Sequence, residues 1–162
     1  MDGFPGQPQA VTISILPRAS GPLWIDVVAL RRQVFGEEQG IVDWELTDSD
    51  DASSIHAVAT LGHEAASGAV VAAGRITLHN QGRDEAIVAW VATAEGYRRR
   101  GIGREIMQAL LDEADRAGIG ETVLAAQRHA EAFYASLGFL PSGGAYRVRG
   151  IPHRWMIRRR PG

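Results

Sequence analysis

The stretch between residues 86 and 118 limits the fold more than any other. Residues 86–93 (AIVAWVAT) form an almost unbroken apolar run, the pattern of a central strand covered on both faces. A short basic turn follows, in which Arg98, Arg99 and Arg100 precede Gly101 and Gly103. Ile106, Met107, Leu110, Leu111 and Ala114 then recur on one helical face, and Gly118 suits the end of that helix. A buried strand that feeds an amphipathic helix places the chain in the mixed α/β class.

The remaining elements fall in order around this centre. Residues 11–16 alternate apolar and polar side chains and stop at Pro17, as a short strand does. Ser20 stands where an N-cap would, with Pro22 in the first turn, and Leu23, Val27, Leu30 and Val34 carry the helical spacing to about Phe35. Residues 55–61 and 69–78 read as two strands joined by a glycine-containing turn, and residues 122–126 as another strand. A short helix spans about residues 129–137, with Ala130, Phe133, Tyr134 and Leu137 on one side and Gly138 after it. Residues 145–149 and 153–158 make a closing hairpin around Gly150 and Pro152. The order β-α-β-β-β-α-β-α-β-β predicts an α/β (α+β) fold with a mostly antiparallel central sheet flanked by helices. Residues 1–10 hold two prolines, two glycines and no basic residue, and read as a flexible extension before a single domain at 11–162.

Composition narrows the chemistry. A net charge of −2 gives no general attraction for nucleic acid or an anionic membrane. The absence of cysteine excludes disulfides, thiolate metal sites and a cysteine nucleophile. No apolar run approaches the roughly 20 residues needed to span a bilayer, so a cytoplasmic enzyme is expected. His56, His63, His79 and His129 show no paired spacing of the His-x-x-x-His kind, so no metal is expected. Between residues 36 and 54 the periodicity fades and acids gather: Glu37, Glu38, Asp43, Glu45, Asp48, Asp50 and Asp51. This reads either as a solvated loop with a short helix or as a lid over an amine-binding site. Trp24 and Trp44 fit an acceptor pocket or ordinary packing.

Residues 91–104 (VATAEGYRRRGIGR) carry the clearest chemistry. Backbone N–H groups at a helix start have no partner within the helix and sit at the positive end of its dipole. Glycines let a phosphate approach that backbone, and arginines add charge. No Gly-Lys-Ser/Thr follows, so this is not a Walker loop, and the third glycine of a dinucleotide fingerprint is missing. An ordinary helix start with solvated arginines satisfies the same residues.

Arg98-x-x-Gly101-x-Gly103 after a buried strand resembles the acyl-CoA pyrophosphate loop of the GNAT (Gcn5-related N-acetyltransferase) superfamily. Ala130-x-x-Phe133-Tyr134-x-x-Leu137-Gly138-Phe139 resembles that superfamily's fourth-helix motif. The resemblance implies acetyl-CoA as cosubstrate, held by Val91, Ala92, Thr93, Arg98, Arg99, Arg100, Gly101, Ile102, Gly103 and Arg104. It places an oxyanion donor among residues 91–93 and makes Tyr134 the general acid. Read without it, Tyr134 is a half-buried packing residue.

Finer features resemble the ElaA-like acyltransferases: Leu30-Arg31-x-x-Val34-Phe35-x-x-Glu38-Gln39, the acidic stretch through Asp50, His56, Ala126-Gln127 and Gly150-Ile151-Pro152-His153. Arg31, Glu38 and Gln39 are thereby placed at the acceptor. The chain is also similar to small bacterial acetyltransferases that act on glyphosate, whose proposed base corresponds to His153. That group's anion-binding arginines fall on Gly36, Ala89 and Gln127, so the resemblance implies no phosphonate recognition here. His153 alone reads equally as a residue capping the hairpin. The expected function is N-acetyl transfer to a small-molecule amine, with no nucleic-acid or membrane partner and a homodimer left open. A non-catalytic acyl-CoA-binding or sensor domain and a protein N-acetyltransferase are the alternatives.

Overall fold

The computed structural model describes residues 10–41, 45–62, 70–78 and 83–162. The expectations for residues 1–9, Asp43, Trp44, His63 and His79 lie outside the described residues. The elements are β1 (Val11–Leu16), α1 (Pro22–Arg31), β2 (Ile55–Leu61), β3 (Val70–Thr77), β4 (Glu85–Thr93), α2 (Ile102–Arg116), β5 (Glu121–Gln127), α3 (Glu131–Ala135), β6 (Leu140–Val148) and β7 (Ile151–Arg159). Among the described residues the strands form one sheet in the order β1-β2-β3-β4-β5-β7-β6. Neighbours run antiparallel except β4 and β5, which are parallel.

Strand alternation sorts side chains onto the two faces. Ala72, Ile76, Ala86, Val88, Leu124, Ala126 and Met156 pack with Ile102, Ile106, Met107, Leu110 and Leu111 of α2 and with Tyr134 and Phe139. On the other face Val58, Val70, Ala73 and Ala92 pack under Val27, Leu30 and Val34 of the first helical segment. Helix α2 lies close to the sheet because β3 carries Gly74 there. A Cβ at that position would stand 3.1 Å from both Ile106 and Leu110 and 3.2 Å from Val91.

Several expectations are corrected. Gly21, not Ser20, occupies the N-cap of α1, and no side chain caps that end. The segment does not stop near Phe35 but widens into a π-helical turn at Arg32–Glu37, with Glu38 N–H bonded to Gln33 O at 3.0 Å and Ile41 N–H to Gly36 O at 2.8 Å. The acidic stretch is not simply solvated: its 3₁₀ turn, Ser49–Ser53, buries Asp51 against the sheet. The closing hairpin is longer than expected. β6 starts at Leu140, and a register break between Ser142 and Tyr146 hides its beginning from a periodicity reading.

Candidate active site

The site arises where two parallel strands part. β4 and β5 share four rungs, ending at Val88↔Leu124. Beyond these, β5 stays paired with β7 as far as Gln127↔His153, while β4 bulges. Ala73 and Arg75 of β3 face Ala92 and Ala89, so three steps on β4 span two on β3. Such an extra residue sharpens the twist and turns the strand away from its neighbour. Trp90, at the bulge, takes φ 55, a conformation costing an aromatic residue of order 1–3 kcal/mol. Strand backbone groups alternate between the two neighbours, so part of those at residues 89–93 face the gap instead of a β5 partner. The gap opens into a cavity of about 1150 Å³.

One end of the cavity is the start of α2. Gly101 takes φ 78 at the N-cap, and the first intrahelical bond runs from Glu105 N–H to Gly101 O at 3.1 Å. The N–H groups ahead of Glu105 therefore have no partner within the helix. Gly103 sits in this first turn, and a Cβ there would meet Thr93 Oγ1 at 3.5 Å and Phe133 at 3.6 Å. The floor is thus closed without being crowded, and Phe133, expected in the core, is part of this wall. Arg98, Arg99, Gly101, Ile102, Gly103 and Arg104 line the cavity together with Val91, Ala92 and Thr93. These residues fit an anionic pyrophosphate: free backbone donors, a helix dipole and three guanidinium groups converge. Arg100 is a correction. It is absent from the cavity lining and lies over the Tyr97 ring at 5.3 Å.

Tyr134 and His153 both line the cavity, from different elements. Tyr134, on α3, is buried, and burial pushes its hydroxyl up to about 12, so it keeps its proton throughout the neutral range. His153, near the start of β7, is 8% exposed, with Nδ1 2.8 Å from Ile151 O. A carbonyl only accepts, so Nδ1 carries a hydrogen, which leaves Nε2 as the nitrogen available for proton exchange. The ring stacks on Tyr146, its neighbour across the hairpin, at 6.0 Å.

The π-helical turn roofs the cavity. It brings Phe35, Glu38 and Gln39 to the wall. Glu38 accepts from Arg98 at 2.7 Å, and Arg98 Nε also donates to Thr93 O at 2.9 Å. Gln39 and Gln127 exchange amide hydrogen bonds of 2.8 and 3.3 Å, so the roof is tied to the end of β5 across the gap.

Arg31 is not at the acceptor. It is 1% exposed and absent from the cavity lining, and Asp51 grips it with two hydrogen bonds of 3.1 and 3.0 Å. Burial is the larger influence and pulls its guanidinium below the usual arginine value. It lies instead behind Trp90, 4.8 Å from the ring, with Trp24 5.0 Å away. Phe35 meets the Trp90 ring edge-on at 5.2 Å, and the indole N–H donates to Asp48 at 3.4 Å. These contacts hold a strained residue in place, and Trp24 belongs to this packing rather than to the cavity wall. Trp90 is not legible as a cavity residue from sequence because its apolar run reads as core.

The sequence matches the Acetyltransferase (GNAT) family over residues 24–139. It is 31% identical over 90 residues to Protein ElaA of Escherichia coli K12, a match covering 55% of this chain and 59% of that protein. The chain thus matches about three fifths of this curated relative's length. The crystal structure of Escherichia coli ElaA superposes with a TM-score of 0.78 at 24% identity, covering 92% of this chain and 99% of that one. An acyl-CoA N-acyltransferase from Pseudomonas aeruginosa gives the same TM-score, identity and coverages, and these two structures share the fold. The family match runs from α1 through the splayed strands, the basic turn and α3, so this chain belongs to the GNAT family.

Proposed function

We propose that the chain transfers an acetyl group from acetyl-CoA to the primary amine of a small molecule, by direct attack with both substrates bound. One observation carries this reading: the free N–H groups of α2, the Tyr134 hydroxyl and the lone-pair nitrogen of His153 belong to residues lining one gap between β4 and β5. The start of α2 holds the pyrophosphate, which runs the thioester along the open edge of β4. His153 Nε2 removes a proton from the bound ammonium, because only the neutral amine has the lone pair to attack. Attack forms the C–N bond and places negative charge on the thioester oxygen. Backbone N–H groups of residues 91–93 are positioned to meet that charge. Collapse breaks the C–S bond and Tyr134 gives its proton to the leaving thiolate; the amide nitrogen sheds its second proton, which restores the Tyr134 phenol, and His153 retains the first until it passes to solvent.

The test is release of CoA thiol from acetyl-CoA across a panel of amines, with wild type and Tyr134→Phe side by side. Amine-dependent release is expected, and Tyr134→Phe should lower kcat by about 10²-fold with CoA affinity unchanged. Because the hydroxyl holds its proton up to about 12, kcat should show no falling limb from this residue between neutrality and pH 10. Tight acetyl-CoA binding without amine-dependent thiol release would instead make the chain a binding or sensor domain. Undiminished turnover by the variant would reduce Tyr134 to packing.

A further inference from the structure

Building on the transferase reading, we infer that the acceptor is a small primary amine carried on an aromatic body and bearing no acidic group. The face opposite α2 is the one the acceptor meets. Ala125 and Gln127 on β5 and their partners Trp155 and His153 on β7 alternate with Leu124, Ala126 and Met156, which belong to the α2 core. Trp90 and Phe35 complete this side of the cavity. Its largest surfaces are aromatic. Trp155 lines the cavity yet remains 42% exposed, an unusual position for an indole in a walled site. The Trp155 and His153 rings, two residues apart on one face of β7, both stack on Tyr146, at 6.3 and 6.0 Å, and both line the cavity. A planar body packed against the indole therefore lies beside His153.

The charges decide what such a body can carry. Among the described residues, the guanidinium groups lining the cavity are those of Arg98, Arg99 and Arg104, all on the turn and first turn of α2. Arg98 is held by Glu38 and Thr93 O. Nearby Arg154 faces Glu131 at 3.1 Å, and Arg31 lies buried against Asp51. The acceptor side offers Glu38, the paired amides of Gln39 and Gln127, and His153. An acceptor carboxylate or phosphate would lose water there without meeting an unpaired guanidinium among the described residues. An ammonium is attracted by the aromatic faces. Among the described residues, no carboxylate besides Glu38 lines this wall to receive the further charges of a polyamine.

Matched acceptors test this with the full chain: 2-phenylethylamine, L-phenylalanine, which adds only a carboxylate, and spermidine. The expected kcat/KM for 2-phenylethylamine exceeds those for phenylalanine and spermidine at least 10²-fold. Trp155→Ala should raise KM for 2-phenylethylamine at least tenfold and leave KM for acetyl-CoA unchanged. Equal or better use of phenylalanine or spermidine, or an unchanged KM in the variant, overturns the inference. Calorimetry of the three compounds against the CoA-bound protein separates it from the transferase reading. Selective binding of 2-phenylethylamine without turnover sustains the inference and breaks the transferase reading. Failure of 2-phenylethylamine to bind, while another amine is acetylated, does the reverse.

Discussion

In the proposed mechanism His153 acts as base, and a backbone carbonyl two residues away orients its ring for that role. The Ile151 carbonyl fixes the hydrogen on Nδ1, and that choice of tautomer leaves Nε2 to accept a proton. His153→Ala should therefore lower kcat/KM by about 10² to 10⁴-fold. Acetyl-CoA affinity should hardly change, because the α2 turn is a separate part of the chain. If turnover survives and the variant merely unfolds more easily, His153 is a hairpin residue. Residues such as Tyr134 and His153 were legible in the sequence because short motifs at set spacing mark them. Arg31 was not. It sits within a pattern of cavity residues, Phe35, Glu38 and Gln39, yet its burial is decided by Asp51, 20 positions further on. Trp90 escaped notice for the opposite reason: an aromatic residue in an apolar strand looks like core until a bulge turns it.

At the scale of elements, the strand–turn–helix unit around Gly101 shows how local sequence places a binding site. Gly101 supplies the positive φ that lets β4 end and α2 begin with its N–H groups exposed to the cavity. Gly103 then sets the depth of the floor. A methyl at this position meets its neighbours at ordinary contact distance, so Gly103→Ala should fold and bind acetyl-CoA nearly as wild type does. Gly103→Asp brings a carboxylate to the helix turn proposed to receive the pyrophosphate. It should weaken binding at least tenfold, about 1.4 kcal/mol, as read by calorimetry. Unchanged affinity in a folded Gly103→Asp variant would move the pyrophosphate elsewhere. The unit was readable because strand burial, glycine placement and helical periodicity all agree within one short stretch. The direction of Arg100 was not, since side-chain direction within the turn depends on a backbone path that includes Arg99 at φ 62. The start of β6 was hidden similarly: Pro141, Gly143 and Gly144 carry no alternation, the two glycines fall in the register break, and only the pairing of Leu140, Pro141 and Ser142 with β7 marks the strand.

Across the whole molecule, one buried charge cluster joins α1, the 3₁₀ turn and the sheet. Asp51 bonds Arg31 and, at 2.8 Å, Arg75 of β3; Arg75 also bonds Asp48; and His56 donates through Nε2 to the Asp51 carbonyl at 2.9 Å. Burial pushes the Asp51 carboxyl up, but the hydrogen bonds from Arg31, the Asp48 N–H and Arg75 outweigh it and hold the group below its usual value of 3.8. Asp48 is lowered in the same way, its burial outweighed chiefly by Arg75. Burial lowers His56 from 6.5, with the nearby Arg31 charge acting in the same direction. All three shifts have one sign in stability. As pH falls below about 6.5 the unfolded chain protonates His56 while the native fold resists, so stability declines. Below about 3.8 the unfolded carboxylates take up protons that Asp48 and Asp51 refuse, and a second decline follows. Denaturant unfolding measured from pH 7.5 to pH 3 should show both, and His56→Gln should flatten the first while leaving the second. Wild-type stability that stays level between pH 7.5 and 5 would mean that His56 accepts a proton within the fold. Asp51→Asn should cost about 3–5 kcal/mol at neutral pH, because it leaves two buried guanidinium groups facing one remaining close carboxylate. The same variant should also lower turnover at temperatures where it remains folded. Arg31 and Asp48 are the contacts that hold Trp90 at the bulge, and the cluster that stabilises the fold thereby also fixes the open edge of β4.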